Sequence, residues 1–185
     1  FLVLAPVCVA VGAGCVVHDG HTLDPVGLAL AILGALAAHV AVNTLNEYDD
    51  FRSGLDYRTT RTPFSGGSGT LPGSPEQARR VLLLGVVAVA LTIAVGLHFV
   101  MRHGWDILPL GLAGILVIVA YTPLLTRSAL LCLLAPGLGF GTCMVVGTHF
   151  CLTGEWSTTA LAASLVPFFL VSDLLQNLDR SPYFA

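Results

Sequence analysis

Six mostly apolar stretches, each near the roughly 20 residues that an α-helix needs to cross a bilayer, recur along this chain at about 1–17, 25–45, 81–101, 107–126, 129–153 and 158–178. In hydrocarbon the backbone must satisfy its own N–H and C=O groups, and a helix does so within one segment. A soluble exterior cannot be built from this sequence: 55% of the residues are hydrophobic, only 10% are charged, and the mean hydropathy is +0.84. The expected fold class is therefore all-α, a multi-spanning transmembrane helix bundle. The connections at His18–Asp24, Arg102–Asp106, Thr126–Ser128 and Gly154–Ser157 are short. They imply an up-and-down order, and residues 51–80 form the one long loop. The whole of 1–185 reads as one transmembrane domain.

Arginine placement sets the expected orientation, because the chain has no lysine. Arg52, Arg58, Arg61, Arg79 and Arg80 fall in the long loop, Arg127 follows the fourth span and Arg180 the sixth; Arg102 alone falls opposite. The positive-inside rule makes the arginine-rich side cytoplasmic, with the cell membrane as the location. Cys8, Cys15, Cys132, Cys143 and Cys151 all fall within apolar spans with no CxxC pair, which suits small buried hydrophobes. The first residue is Phe, so the natural start is expected to lie upstream. The first span is too apolar throughout for a signal peptide. No nucleic-acid partner is expected.

Asn43, Asn46, Glu47 and Asp50 stand at i, i+3, i+4 and i+7, so they share one stripe at the inner end of the second span. Carboxylates at membrane depth are costly and are functional candidates by default. Gly54 is expected to end this helix and turn Asp56 back toward Asp50. Asp173, Gln176, Asn177 and Arg180 repeat the spacing at the end of span six, with Asp179 beside them, as if a four-helix unit recurred. Two such ends facing each other would suit a divalent cation. Magnesium takes a few carboxylates plus phosphate oxygens and keeps several waters. EF-hand and HExxH spacings are absent. The blander reading is a pair of solvated helix ends.

The run from Asn46 to Asp56 resembles the first aspartate-rich motif of the UbiA superfamily of intramembrane prenyltransferases, in the form typical of the 1,4-dihydroxy-2-naphthoate branch. Glu47 stands where that family has Asp. Ser65–Leu71 is similar to the branch's glycine-rich loop, and Tyr121-Thr122-Pro123 with Arg127 to its tyrosine-containing loop. Gly137–Gly141 and Gly147-Thr148 resemble its fifth helix. The second aspartate-rich motif departs from the pattern, since Asn177-Leu178-Asp179-Arg180 runs into Ser181 and Pro182. The family has nine helices and this chain supplies six, so a fragment is expected.

The resemblance implies transfer of a polyprenyl group from an allylic polyprenyl diphosphate to a hydroxylated aromatic acceptor, with Mg2+ as cofactor and the lipid bilayer as surroundings. It implies metal ligands among Asn46, Glu47, Asp50 and Asp56, with Asp173 and Asp179 helping from span six. Asn46, Asp50, Asp56 and Tyr121 are then the catalytic candidates. Asn43, Arg58, Arg61, Arg127 and Asn177 are the substrate-binding ones, the arginines suited to diphosphate or to an acceptor carboxylate. Other acceptors remain open: 4-hydroxybenzoate, a tetrapyrrole or glycerol phosphate. A transporter is the competing class, since intramembrane acids also mark ion pathways. His39, His98 and His149 read as hydrogen-bonded bundle residues, the span-five glycines as packing residues, and Ser65–Gly73 as a lid before a phosphate cradle.

Overall fold

A computed structural model describes residues 2–57, 69–121, 124 and 128–179, with side chains for all of these except 129, 132, 133 and 171–179. The described chain is helical throughout: α1 (Leu4–His18), α2 (Pro25–Ser53), α3 (Thr70–Gly73), α4 (Ala78–His103), α5 (Leu108–Ala120), α6 (Ala129–Gly137), a π-helical stretch (Leu138–Val146), α7 (Gly147–Thr153) and α8 (Thr158–Asp179). The all-α expectation holds. Pro25–Ser53, Pro75–His103 and Leu134–Thr153 are long and apolar enough to cross a membrane, while Leu4–His18, Trp105–Ala120 and Thr158–Leu170 are apolar but shorter.

Helix α2 has 29 residues, a length of about 43 Å against a hydrocarbon core of about 30 Å. Its last two turns therefore emerge from the apolar layer, and these carry the acids. Asp24 caps its start by accepting from the Val26 N–H, with Pro25 in the first turn, where a missing N–H costs nothing. Along its length α2 packs on α4, around Ala41, Ala88 and Ile118. A methyl group on Gly85 would come within 2.9 Å of Thr44 and Leu45, so the glycine is what lets these two helices approach.

The fifth span is one helical rod with a changed pitch. Pro136 lies inside α6 and has no N–H to give the ladder; the helix widens to π geometry directly after it. Such wide turns arise where the regular ladder is interrupted. Gly141 in this stretch sits against α8, and a Cβ there would meet the Ser164 carbonyl oxygen at 2.6 Å and the Phe168 Cβ at 3.0 Å. The packing role expected of the span-five glycines is correct for Gly141. It does not hold for Gly139, which has open space where a Cβ would go.

Polar contacts join the connections at one end of the bundle. Arg102 at the end of α4 donates to Asp24 at 2.5 Å, and Ser157 before α8 donates to Asp19 after α1. His103 bonds the Cys151 carbonyl at 2.9 Å. The guanidinium beside Asp24 holds that carboxyl below the usual carboxylate range. Because α2 and α8 both start in this network, both run toward the opposite end, as the two polar stripes require. They are not packed closely together; α1 lies against both. Cys8, Cys15, Cys143 and Cys151 carry free thiols, the first two buried.

Candidate active site

Gly54 ends α2 in the left-handed region at φ 76°, its N–H returning to the carbonyls of Asp50 and Phe51. A residue with a Cβ is strained there, so glycine sets where the helix stops. The chain then makes a 3-10 turn at Leu55–Tyr57. Tyr57 comes back to within 6.0 Å of Phe51, ring to ring, and Asp56 is buried at 7% exposure. The turn places Asp56 within electrostatic reach of Asp50, as do Asp49 and Glu47 from the helix itself. The return of Asp56 toward Asp50 is thus what the glycine does.

Asn46 donates through Nδ2 to Asp50 Oδ2 at 2.8 Å, an i, i+4 bond that orients one carboxylate oxygen and leaves the other for a further partner. Asn43 donates to the His39 carbonyl at 2.7 Å, which leaves its amide oxygen available. Both asparagines line a cavity of about 750 Å³. On α2 the cavity wall runs from Ala31 through Ala38, His39 and Val42 to Asn43 and Asn46, one stripe at helical spacing that Asp50 continues. Tyr121, at the end of α5, lines the same cavity. Tyr121 and the two asparagines thus line one cavity from two helices.

The cavity is walled by α2, α4, α5 and the rod from α6 to α7, and its lining is overwhelmingly apolar. Ile93 and Leu97 of α4 and Leu112 of α5 line it while staying exposed. Pockets of this size and lining suit a largely apolar ligand held in place by a few polar groups.

Asp173, Asn177 and Asp179 stand on the last turns of α8, at the same end of the bundle as Asp50; their side chains lie outside the described residues. So do Arg58, Arg61 and Arg127, and the Ser65–Ser68 part of the glycine-rich loop. Its remainder is folded: Gly69, at φ 74°, leads into α3, and Leu71 there is fully buried. Among the described residues, no group of three His, Cys, Asp or Glu side chains could by itself hold a metal ion. Magnesium makes no such demand, since one or two carboxylates with substrate phosphates and water complete its shell. Glu47, Asp50 and Asp56 offer oxygen donors of the kind such a hard cation takes, Asp50 with Asp56 and Glu47 within electrostatic reach.

The three histidines of the spans part ways. His149 is buried and bonded through Nδ1 to the Glu155 carbonyl. His98 is exposed on α4, edge-on to Phe99. His39 departs from the expectation of a hydrogen-bonded residue: it is 4% exposed, lines the cavity, and its Nδ1 has no partner. Its place in the sequence was a signal, because His39 stands at i−4 from Asn43 and i−7 from Asn46, on the same stripe.

The chain matches the UbiA prenyltransferase family over residues 4–180, and it belongs to that family of membrane-bound transferases. No curated protein and no solved structure matches it.

Proposed function

We propose, from this membership, that the protein transfers a polyprenyl group from an allylic prenyl diphosphate to a hydroxylated aromatic acceptor of the 1,4-dihydroxy-2-naphthoate kind, as in menaquinone-type quinone biosynthesis. One observation carries the reading: the stripe of α2 that bears Asn43 and Asn46 lines a large apolar cavity, and Asp50 stands one turn beyond it on the same helix. Such a cavity suits a prenyl tail, and the acids one turn beyond it suit the magnesium that accompanies a diphosphate. Asp50 and Asp56, with Glu47 and Asn46, would hold magnesium, and Asp173 and Asp179 of α8 would help hold a second ion. Bound there, the metal supplies positive charge against the departing diphosphate.

The rest of the work falls to the chain. Arg58, Arg61 and Arg127 are placed in sequence to grip diphosphate or an acceptor carboxylate, with Asn177 beside the second acid set. Asn43 and Asn46 orient the donor from the cavity wall, and Tyr121 offers its ring face and hydroxyl to the reacting carbon. The C–O bond to diphosphate breaks and its electron pair leaves with the phosphate. A ring carbon of the acceptor bonds the allylic carbon and then loses its proton. Apolar walls keep water from capturing the allylic cation first. The 51–80 segment is the active-site loop of this single domain, on the cytoplasmic side by the distribution of arginines.

Membranes containing the protein, given labelled prenyl diphosphates and a panel of acceptors, should prenylate dihydroxynaphthoate in a reaction abolished by EDTA and restored by magnesium. Transfer only to 4-hydroxybenzoate, a tetrapyrrole or glycerol phosphate would reassign the acceptor, and no transfer to any would refute the reading. For orientation, a cysteine placed at Ser68 should resist an impermeant thiol reagent in intact cells and react in inverted vesicles. Labelling from outside would reverse the topology.

A further inference from the structure

We propose that Trp105 and Trp156 seat the protein in the headgroup layer of one leaflet, and that this seat holds Asp50 at the depth of the phosphates in the other. The chain has two tryptophans. Trp105 stands 74% exposed in the short turn between α4 and α5, and Trp156 stands 54% exposed between α7 and α8. Both connections belong to the end of the bundle opposite Asp50. Arg102, shortly before the first, bonds Asp24 at the start of α2, and Ser157, directly after the second, bonds Asp19. The two indoles therefore share one layer with Asp19 and Asp24, although they lie far apart in the sequence.

Their surroundings say what covers them. Toward the middle of the bundle exposed side chains are apolar, among them Leu91 and Leu97 of α4, Leu116 of α5, and Leu161 and Leu165 of α8. In the connections themselves Arg102, Asp106 and Glu155 are exposed. An indole has a broad apolar body and one N–H donor, so it collects where hydrocarbon meets water. Trp156 is held there by Phe150, the ring centroids 4.7 Å apart. At the opposite end Tyr57, 62% exposed just beyond α2, offers the same kind of ring to the second interface.

With one boundary at the tryptophans, level with Pro25, the length of α2 sets the depth of its other end. From Pro25 to Asp50 the axis runs about 37 Å, and an ordinary tilt shortens this to about 35 Å across the membrane. Hydrocarbon takes about 30 Å of it, so Asp50 lies about 5 Å past the second boundary, within the headgroup layer. For the donor proposed above, on which this one consequence rests, the diphosphate already rides at that depth with its tail in hydrocarbon. It reaches the acids without crossing the apolar layer.

The test is the tryptophan fluorescence of the protein in phosphatidylcholine vesicles whose acyl chains carry bromine either near the headgroup or near the chain ends. No substrate enters, so the result stands apart from the proposed reaction. The unaltered protein should be quenched about twice as strongly by the shallow bromines as by the deep ones, as indoles at headgroup level require. Trp105→Phe, which leaves Trp156 alone to report, and Trp156→Phe, which leaves Trp105, should each show the same order. With both rings replaced by phenylalanine, Tyr57→Trp should again favour shallow bromines. Leu116→Trp in that background, about 12 Å along α5 from Leu108, should favour deep ones. Stronger deep quenching of either native tryptophan overturns the proposal, and so does no quenching by either lipid, the mark of a ring covered by a protein partner or standing in water. Deep quenching of Tyr57→Trp, or none, overturns the depth assigned to Asp50. Shallow quenching of Leu116→Trp overturns both parts, because the exposed apolar faces then lie outside the hydrocarbon.

Discussion

Replacing Asp50 with asparagine is expected to lower prenyl transfer by about a hundredfold or more, the scale on which removal of one electrostatic contact to a developing charge acts. The substitution keeps the size of the side chain and an oxygen within reach of Asn46, which now bonds Asp50 at 2.8 Å. It removes one of the four acids, Glu47, Asp49, Asp50 and Asp56, that crowd this helix end. Relief of that repulsion should leave folding in detergent unchanged or improved, so activity and stability should move apart. Asp49→Asn is the control: its neighbour position is about 100° around the helix from Asp50, off the stripe that reaches the cavity. It should keep turnover within a few-fold. Near-normal turnover in Asp50→Asn, or equal losses in both variants, would remove Asp50 from the proposed metal site. The magnesium dependence of any residual Asp50→Asn activity should move to higher concentration.

Two glycines two residues apart should respond in opposite ways to the same methyl group. At Gly141 a Cβ would stand 2.6 Å from the backbone oxygen of Ser164, and neither partner is a flexible side-chain end. Gly141→Ala must therefore push α8 away from the π-helical stretch, at a cost of about 1–3 kcal/mol for forced overpacking. At Gly139 nothing lies within 4 Å of the same atom, so Gly139→Ala should be neutral, or gain slightly from better helix propensity. Thermal aggregation in one detergent, read for both variants in parallel, decides the matter. Equal midpoints would mean that α8 is not held at this distance.

Much of the site was legible because helical periodicity and glycine geometry are local properties. Asn43, Asn46, Glu47 and Asp50 had to share a face once the segment was helical. Gly54 followed by Asp56 had to turn, since a left-handed position after a helix is where glycine is favoured. The apolar runs likewise set a helical fold, and α2 outlasting the hydrocarbon follows from its residue count alone.

Other features depended on what other segments bring near. Gly139 and Gly141 look alike in the sequence, yet one borders the cavity and the other touches α8, because only packing tells a helix which of its faces is covered. The π-helical stretch after Pro136 answers a missing backbone donor, and its exact extent depends on neighbours. His39 read as one more buried histidine until α5 and the fifth span closed a cavity on it and left its Nδ1 without a partner. The sequence by itself determined a membrane-embedded helical chain with an acid-bearing helix end, through residue chemistry repeated at a 3.6-residue period. The tertiary structure alone decided that the stripe leading to this end lines a large apolar cavity, because a cavity is the space between helices distant in the chain and no local pattern encodes it.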